Sequence, residues 1–324
     1  MRVARLPLYF LLLLLLSGCA AHQTHRGQSL LSPEQARTVF QQGEAAYQLG
    51  LYHESHAAFM AAEAAGHLPG PSLINAGASL LAMRQSAQAL SLLERASREH
   101  PTSAAAWYNY GLALYGTGTF DGAIRALRRS IELDPANADV WTALGAAFVS
   151  MRQPGVAVDQ FSRALALAPD DTAIKSTILS GRAGAYLDAT LHTEAERDYL
   201  AVLELGNDPA IAHMGLGEVY LARRQCSRAD EQFSRAIELS PGNSLAYYNR
   251  GIAHRQCGGY EKAIDDFSRA LAFDPEWSEA LVMRGDTHLL RRNTEQGCKD
   301  LLAACAMGNC DRLHAVRAAG VCPR

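Results

Sequence analysis

The chain has 324 residues, of which 48% are hydrophobic and 19% are charged, so its composition excludes a disordered or collagen-like protein. A formal net charge of −3 and an aromatic content of 7% exclude the basic and aromatic surfaces on which nucleic-acid binding depends. We therefore expect no nucleic-acid partner.

The first 18 residues have the pattern of an export signal. Arg2 and Arg5 precede an apolar run over residues 8–16, which is short for a membrane span. The run leads into Leu-Ser-Gly followed by Cys19, which resembles the lipobox of bacterial lipoproteins. In that family the cysteine is acylated and becomes the first residue of the mature chain. The alternative is an ordinary cleaved signal with an incidental cysteine.

The lipobox resemblance has implications for processing and location. It implies removal of residues 1–18 and a lipidated tether over residues 19–35, with the lipid on Cys19 as the only contact with a membrane. Residue 20 is Ala20, whereas lipoproteins retained in the inner membrane carry an aspartate there. The implied location is the periplasmic face of the outer membrane.

A period of 34 residues runs through the remainder of the chain. Residues that recur at this spacing are Pro101, Pro135 and Pro169, then Pro241 and Pro275, then Gly77, Gly111 and Gly145, and then Gly217, Gly251 and Gly285. Periods of 20 to 50 residues are typical of repeat proteins, in which no single unit buries its own apolar face.

The pattern resembles the tetratricopeptide repeat, which has a large residue at position 4, a small one at position 8, alanine at positions 20 and 27, an aromatic at 24 and proline at 32. The resemblance implies an all-α fold, a right-handed superhelical solenoid of about eight helix-turn-helix repeats over residues 36–310. The repeats start near residues 36, 70, 104, 138, 176, 210, 244 and 278, and positions are counted from these starts. A four-residue insertion falls near residues 171–175, and residues 311–324 form a C-terminal cap.

In this family the first helix of each repeat lines a concave groove, and positions 2, 5, 6, 9, 12 and 13 face the ligand. The predicted partner-binding residues are Asn75, Tyr108, Asn109, Leu112, Tyr115, Tyr248 and Asn249. Asparagine amides can hydrogen-bond a peptide backbone at two points, and tyrosines offer rigid contact area. The alternative is that the asparagines only solvate the groove and the tyrosines pack between helices.

The resemblance implies a protein or peptide partner and no small-molecule substrate. Chaperone-binding members of the family hold a terminal carboxylate with a clamp of cationic residues. Ala105, Asp139 and Ala143 stand where those cations would be, so we exclude that clamp.

Six cysteines follow Cys19, and an even number in an exported chain predicts disulfides. Cys226 and Cys257 lie at the same edge of neighbouring repeats, where a bridge is within reach. The other four, Cys298, Cys305, Cys310 and Cys322, allow three pairings, and their spacing favours Cys305 with Cys310 and Cys298 with Cys322. The alternatives are free structural thiols, or a zinc site that includes His314.

No motif of an enzyme is present: the chain lacks a nucleophile elbow, a zinc-protease helix, a phosphate-binding loop and a dinucleotide fingerprint. Asp265 and Asp266 are expected at outward positions of a helix. We therefore expect a non-enzymatic scaffold without a cofactor or bound metal, which recruits cell-wall enzymes. The alternatives are an assembly factor or pilotin for pili, secretins or outer-membrane proteins, and a thiol-redox or metal protein centred on the C-terminal cysteines.

Overall fold

The computed structural model describes residues 31–323, which form seventeen α-helices and no β-strand. The helices are α1 (Pro33–Gln48), α2 (Tyr52–Ala64), α3 (Pro69–Ala82), α4 (Ser86–Glu99), α5 (Ala104–Gly116), α6 (Phe120–Leu133), α7 (Ala138–Ser150), α8 (Pro154–Leu167), α9 (Thr172–Asp188), α10 (His192–Leu205), α11 (Pro209–Ala222), α12 (Cys226–Leu239), α13 (Ser244–Gln256), α14 (Tyr260–Phe273), α15 (Ser278–Leu290), α16 (Thr294–Ala306) and α17 (Asp311–Ala318). The all-α prediction is confirmed. The predicted signal segment and Cys19 lie outside the described residues and stay predictions.

Successive helices pair into eight hairpins, α1 with α2 through α15 with α16. We call the first helix of each pair helix A and the second helix B. Helix B of each pair packs on helix A of the next, and contacts between neighbouring A helices run from α3 to α15. The A helices therefore form one continuous face of the solenoid.

Small residues allow the two helices of a repeat to approach closely. A Cβ atom added to Gly77 would lie 2.4 Å from Leu93 Cδ2, and one added to Gly251 would lie 2.7 Å from Phe267 Cε1. Alanines at positions 20 and 27, such as Ala89, are fully buried. The recurring glycine at position 8 is thus a requirement of helix packing, because a larger residue would displace the facing side chain.

The turn between helix A and helix B has a left-handed residue in every repeat. Glycine fills this place in three repeats, at Gly50, Gly118 and Gly258, with φ between 74° and 81°. The other five repeats place there Arg84, Arg152, Thr190, Arg224 and Arg292, with φ between 57° and 61°. A side chain in this region costs about 1 kcal/mol or more, so packing of the two helices imposes the turn on residues that do not favour it.

The predicted boundaries differ from the structure at two places. Helix α1 begins at Pro33, inside the predicted tether, because Ser32 caps it: the Gln35 backbone N–H donates to Ser32 Oγ at 3.2 Å. The four inserted residues extend helix α9, which has 17 residues and starts after Asp171. Asp171 Oδ1 accepts from the backbone N–H of Ala173 at 2.8 Å, so the insertion adds a helical turn.

Three disulfides brace the C-terminal half of the described chain: Cys226–Cys257, Cys298–Cys322 and Cys305–Cys310. These are the pairs that the spacing favours. The first joins the sixth repeat to the seventh, and the second ties the segment after α17 to α16. None of the helices in residues 31–323 combines the length and the apolar content that a membrane span requires.

Candidate functional site

The N-terminal part of the A-helix face contains a cavity of about 260 Å³ between the first two repeats. Asn75 of α3, one of the predicted partner-binding residues, lines it together with Glu44 and Tyr47 of α1. Phe59 of helix B forms part of the wall. The cavity therefore combines an aromatic surface with amide and carboxylate groups, a combination suited to a polypeptide ligand.

Tyr108 lies next to this cavity and is mostly buried. Burial raises the pKa of Tyr108 to about 12, with further contributions from the charges of Asp139 and Tyr47. The ring packs against the apolar cluster around Leu144. Tyr108 therefore packs in part against the core, and its place in the partner-binding groove stays a prediction.

Asn109 differs from the prediction in the use of its amide. Its Nδ2 donates to the backbone oxygen of Ala105, one turn earlier in α5, at 2.9 Å. One N–H of the amide is therefore used within the helix, and the second N–H and Oδ1 are left for a ligand, in an orientation that the bond to Ala105 fixes. The neighbouring Leu112 is half-buried at position 9, the position at which Glu44 lines the first cavity.

Tyr115 packs between repeats. Its ring centroid lies 5.6 Å from that of Phe120, and its hydroxyl accepts a hydrogen bond from Ser150 Oγ at 3.3 Å. Tyr115 also contacts the apolar cluster that includes Leu114. The structure thus gives this tyrosine a role in the seam between the third and fourth repeats.

The second predicted part of the groove surrounds Tyr248. The Tyr248 ring lies 4.4 Å from Trp277 and 5.7 Å from Phe267 between ring centroids. Burial raises the pKa of Tyr248, and the charge of Glu279 adds to this effect. Tyr248 is therefore held in a fixed orientation by aromatic contacts within the seventh repeat.

Asn249 reaches across to the preceding repeat, where its Nδ2 donates to Glu218 Oε1 at 2.9 Å. Both residues line a cavity of about 500 Å³ between the fifth, sixth and seventh repeats. Burial raises the pKa of Glu218, and the nearby carboxylate of Asp188 raises it further, against the opposite effect of the Asn249 hydrogen bond. A carboxylate with a perturbed pKa in a cavity is a functional-site candidate.

Four carboxylates lie in or beside the two cavities: Glu44, Asp139, Asp188 and Glu218. None of the four forms an ion pair within residues 31–323. Each of these carboxylates is therefore without a salt-bridge partner in the described chain.

Buried ion pairs between helix A and helix B were not expected from the sequence. An arginine at position 7 donates two hydrogen bonds to an aspartate at position 23 of the same repeat and one to a serine of the preceding repeat. The three sets are Arg182–Asp198–Ser162, Arg250–Asp266–Ser234 and Arg284–Asp300–Ser268. The outward placement expected for Asp266 is wrong, since its side chain is only 5% exposed. The sequence does contain a signal for these ion pairs, because the arginine and the aspartate are 16 residues apart in each of the three repeats.

The metal alternative has a defined geometric basis. Ligand atoms of Cys305, Cys310 and His314 lie within 4.8 Å of one another. The two sulfur atoms are bonded to each other, and a disulfide sulfur is not the thiolate that zinc requires. Zinc binding at this place would therefore need prior reduction of the disulfide.

Comparison with known proteins identifies the repeats. Residues 74–138 and residues 244–276 match the tetratricopeptide repeat family. Superkiller complex protein 3 of Mus musculus is 28% identical over 145 residues, which are 44% of this chain and 9% of that protein. The chain thus spans a small fraction of the length of this curated relative.

Solved structures share the solenoid. A tetratricopeptide repeat protein from Parabacteroides merdae superposes with a TM-score of 0.62 at 18% identity, over 75% of this chain and 95% of that one. The pilF protein of Pseudomonas aeruginosa superposes with a TM-score of 0.50 at 19% identity, over 61% of this chain and 89% of that one. With the eight helical hairpins, the repeat matches and these shared folds show that the chain contains tetratricopeptide repeats and has the all-α solenoid fold of tetratricopeptide repeat proteins.

Proposed function

We propose that this chain is a non-enzymatic scaffold that binds protein or peptide partners along its A-helix face. The observation that carries the proposal is the pair of cavities on this one face, each lined by apolar surface and by carboxylate and amide groups. A surface of this kind fits a polypeptide, which offers both apolar side chains and hydrogen-bonding groups.

We further propose that the scaffold acts in a bacterial envelope, held at the periplasmic face of the outer membrane by a lipid on Cys19. The lipobox sequence supports this location, and the disulfides agree with an oxidising compartment. In that place the first candidate partners are cell-wall enzymes. The second candidate function is assembly of pili, secretins or outer-membrane proteins.

Photocrosslinking in intact cells tests the proposal. A photoreactive amino acid at Leu112, in the groove, is compared with one at Arg235, on an exposed part of helix B. We expect adducts from position 112 that are absent from position 235, identified by mass spectrometry. Capture of a peptidoglycan enzyme favours the first role, and capture of pilus or secretin subunits favours the second. Equal capture from both positions contradicts binding in the groove.

A further inference from the structure

The cavity between the fifth, sixth and seventh repeats contains a carboxylate without a cationic partner. Glu218 of α11 is half-buried there, and its Oε1 accepts one hydrogen bond, from Asn249 Nδ2. Asp188 lies close enough to act on Glu218 by like-charge repulsion. A partly desolvated carboxylate beside a second one is unfavourable in the free protein, and a cation would relieve both effects.

The walls of this cavity are apolar close to the carboxylate. Leu187, Leu221, Phe233 and Ile252 contribute aliphatic and aromatic surface. The cavity volume of about 500 Å³ is in the range of ligand pockets. A ligand that fits such a place has a hydrocarbon stem that ends in a positive charge, as lysine and arginine side chains do.

Two basic side chains of the chain itself also line the cavity. Arg224, in the turn after α11, is exposed and forms no ion pair with Glu218 among the described residues. His192 begins α10, and its Nδ1 is buried without a hydrogen-bond partner in the structure. Neither side chain neutralises the Glu218 carboxylate, so the site for a cation is open.

We infer that this cavity binds one lysine or arginine side chain of the partner polypeptide, with its stem against Leu221 and Ile252 and its cationic head on the Glu218 carboxylate. The inference rests on the proposed function, because it assigns a recognition element to the same groove. It names the chemistry of the partner: a segment with a basic residue, inserted at the sixth repeat. The carboxylate clamp of chaperone-binding relatives has the opposite polarity.

Glu238, on the exposed side of α12 in the same repeat, provides a matched control. Its side chain is 62% exposed and pairs with Arg235 at 2.8 Å, and it does not line the cavity. A solvated carboxylate gains little from pairing with a cation. Glu238→Gln should therefore leave recognition of a basic side chain nearly unchanged.

The test uses two small probes and the full chain. Nα-acetyl-lysine-N-methylamide carries the hydrocarbon side chain with its positively charged ε-ammonium group. Nα-acetyl-norleucine-N-methylamide carries a hydrocarbon side chain alone. Titration is followed by the side-chain amide signal of Asn249 in nuclear magnetic resonance spectra, at equal ionic strength. We expect the lysine probe to bind at least about tenfold more tightly than the norleucine probe.

Glu218→Gln should abolish this preference, whereas Glu238→Gln should keep it. Equal affinities of the two probes in the wild-type chain, no binding of the lysine probe, or a preference that survives in Glu218→Gln would each overturn the inference. Photocrosslinking at Leu112 is independent of these probes. If a partner is captured at Leu112 but the lysine probe binds no more tightly than the norleucine probe, the proposed function stands and only the inference about the Glu218 cavity is wrong.

Discussion

Arg250 and Asp266 form a two-point ion pair between the helices of the seventh repeat, with Nε donating to Oδ2 at 3.0 Å and Nη2 donating to Oδ1 at 2.7 Å. Arg250→Ala leaves the buried carboxylate without its main partner, so we expect a loss of about 3–5 kcal/mol in the free energy of unfolding. Urea denaturation measures it. The control is Arg235→Ala, whose pair with Glu238 is about 60% exposed on both sides. Arg235→Ala should lower the free energy of unfolding by less than about 1 kcal/mol. Equal losses in the two variants would contradict a stabilising role of the Arg250–Asp266 pair.

Glu218→Gln should raise thermal stability at neutral pH. Because the pKa of Glu218 is raised in the folded state, the folded chain holds this proton more tightly than the unfolded chain does. The wild-type protein therefore loses stability as the pH rises from the unfolded pKa, about 4.3, through the higher folded pKa. The glutamine variant lacks this titration and can retain the Asn249 contact. Melting temperatures from pH 4 to pH 8 should diverge in favour of the variant, and parallel curves would refute the expectation.

Reduction of the disulfides should loosen the C-terminal end first. The Cys298–Cys322 bridge closes a loop with a sequence separation of 24 residues, and such a loop contributes about 3 kcal/mol by constraint of the unfolded chain. The segment after α17 packs on one side only, through the cluster of Leu301 and Leu313. Hydrogen exchange after reduction should accelerate at these leucines before it does at Leu144. If hydrogen exchange accelerates uniformly along the solenoid, the Cys298–Cys322 disulfide does not stabilise the C-terminal end locally.

Substitutions in the third repeat should separate binding from stability. Asn109→Ala removes an exposed side chain, and we expect about tenfold weaker capture of the partner with an unchanged melting temperature, which corresponds to about 1–2 kcal/mol of binding. Tyr108→Ala should also lower stability because the ring packs in the core, so Tyr108→Phe is the better test of its hydroxyl. Gly111→Leu is the destabilising control, since a Cβ atom added at this position would lie 2.8 Å from Leu127 Cγ. Unchanged capture by Asn109→Ala and Tyr108→Phe would move the binding site towards Asn249.

Replacement of Cys19 by serine should release the protein from membranes or stall its processing. A lipid on this residue is the proposed anchor, and no helix in residues 31–323 is suited to spanning a bilayer. Fractionation of cells and the mobility of the processed chain in gels give the result. Normal maturation and membrane retention of Cys19→Ser would remove the lipoprotein proposal.

The sequence predicted the features that most repeats share. Glycine stands at position 8 in seven of the eight repeats and proline at position 32 in five, because helix packing and helix ends impose similar demands in each unit. Features that depend on a facing residue were missed. Arg250 is half-buried at position 7, where Asp266 and Ser234 accept its hydrogen bonds, and the shared repeat pattern contains no sign of these partners. Asn109 was predicted to face a ligand with both polar atoms, but its amide bonds its own helix, which no spacing indicates.

The serine contact of the ion pairs also restricts which repeats can be neighbours along the chain. Arg284 of the eighth repeat donates to Ser268 at position 25 of the seventh, whereas position 25 of the third repeat is Arg128. A shuffled chain that placed the eighth repeat directly after the third would bring two guanidinium groups together where one now meets a hydroxyl. The units look interchangeable by their shared pattern, yet in the native order each of these three arginines meets a serine of the preceding repeat. Elongation or permutation of the array would therefore have to keep a hydrogen-bond acceptor at position 25 before each repeat that carries the arginine.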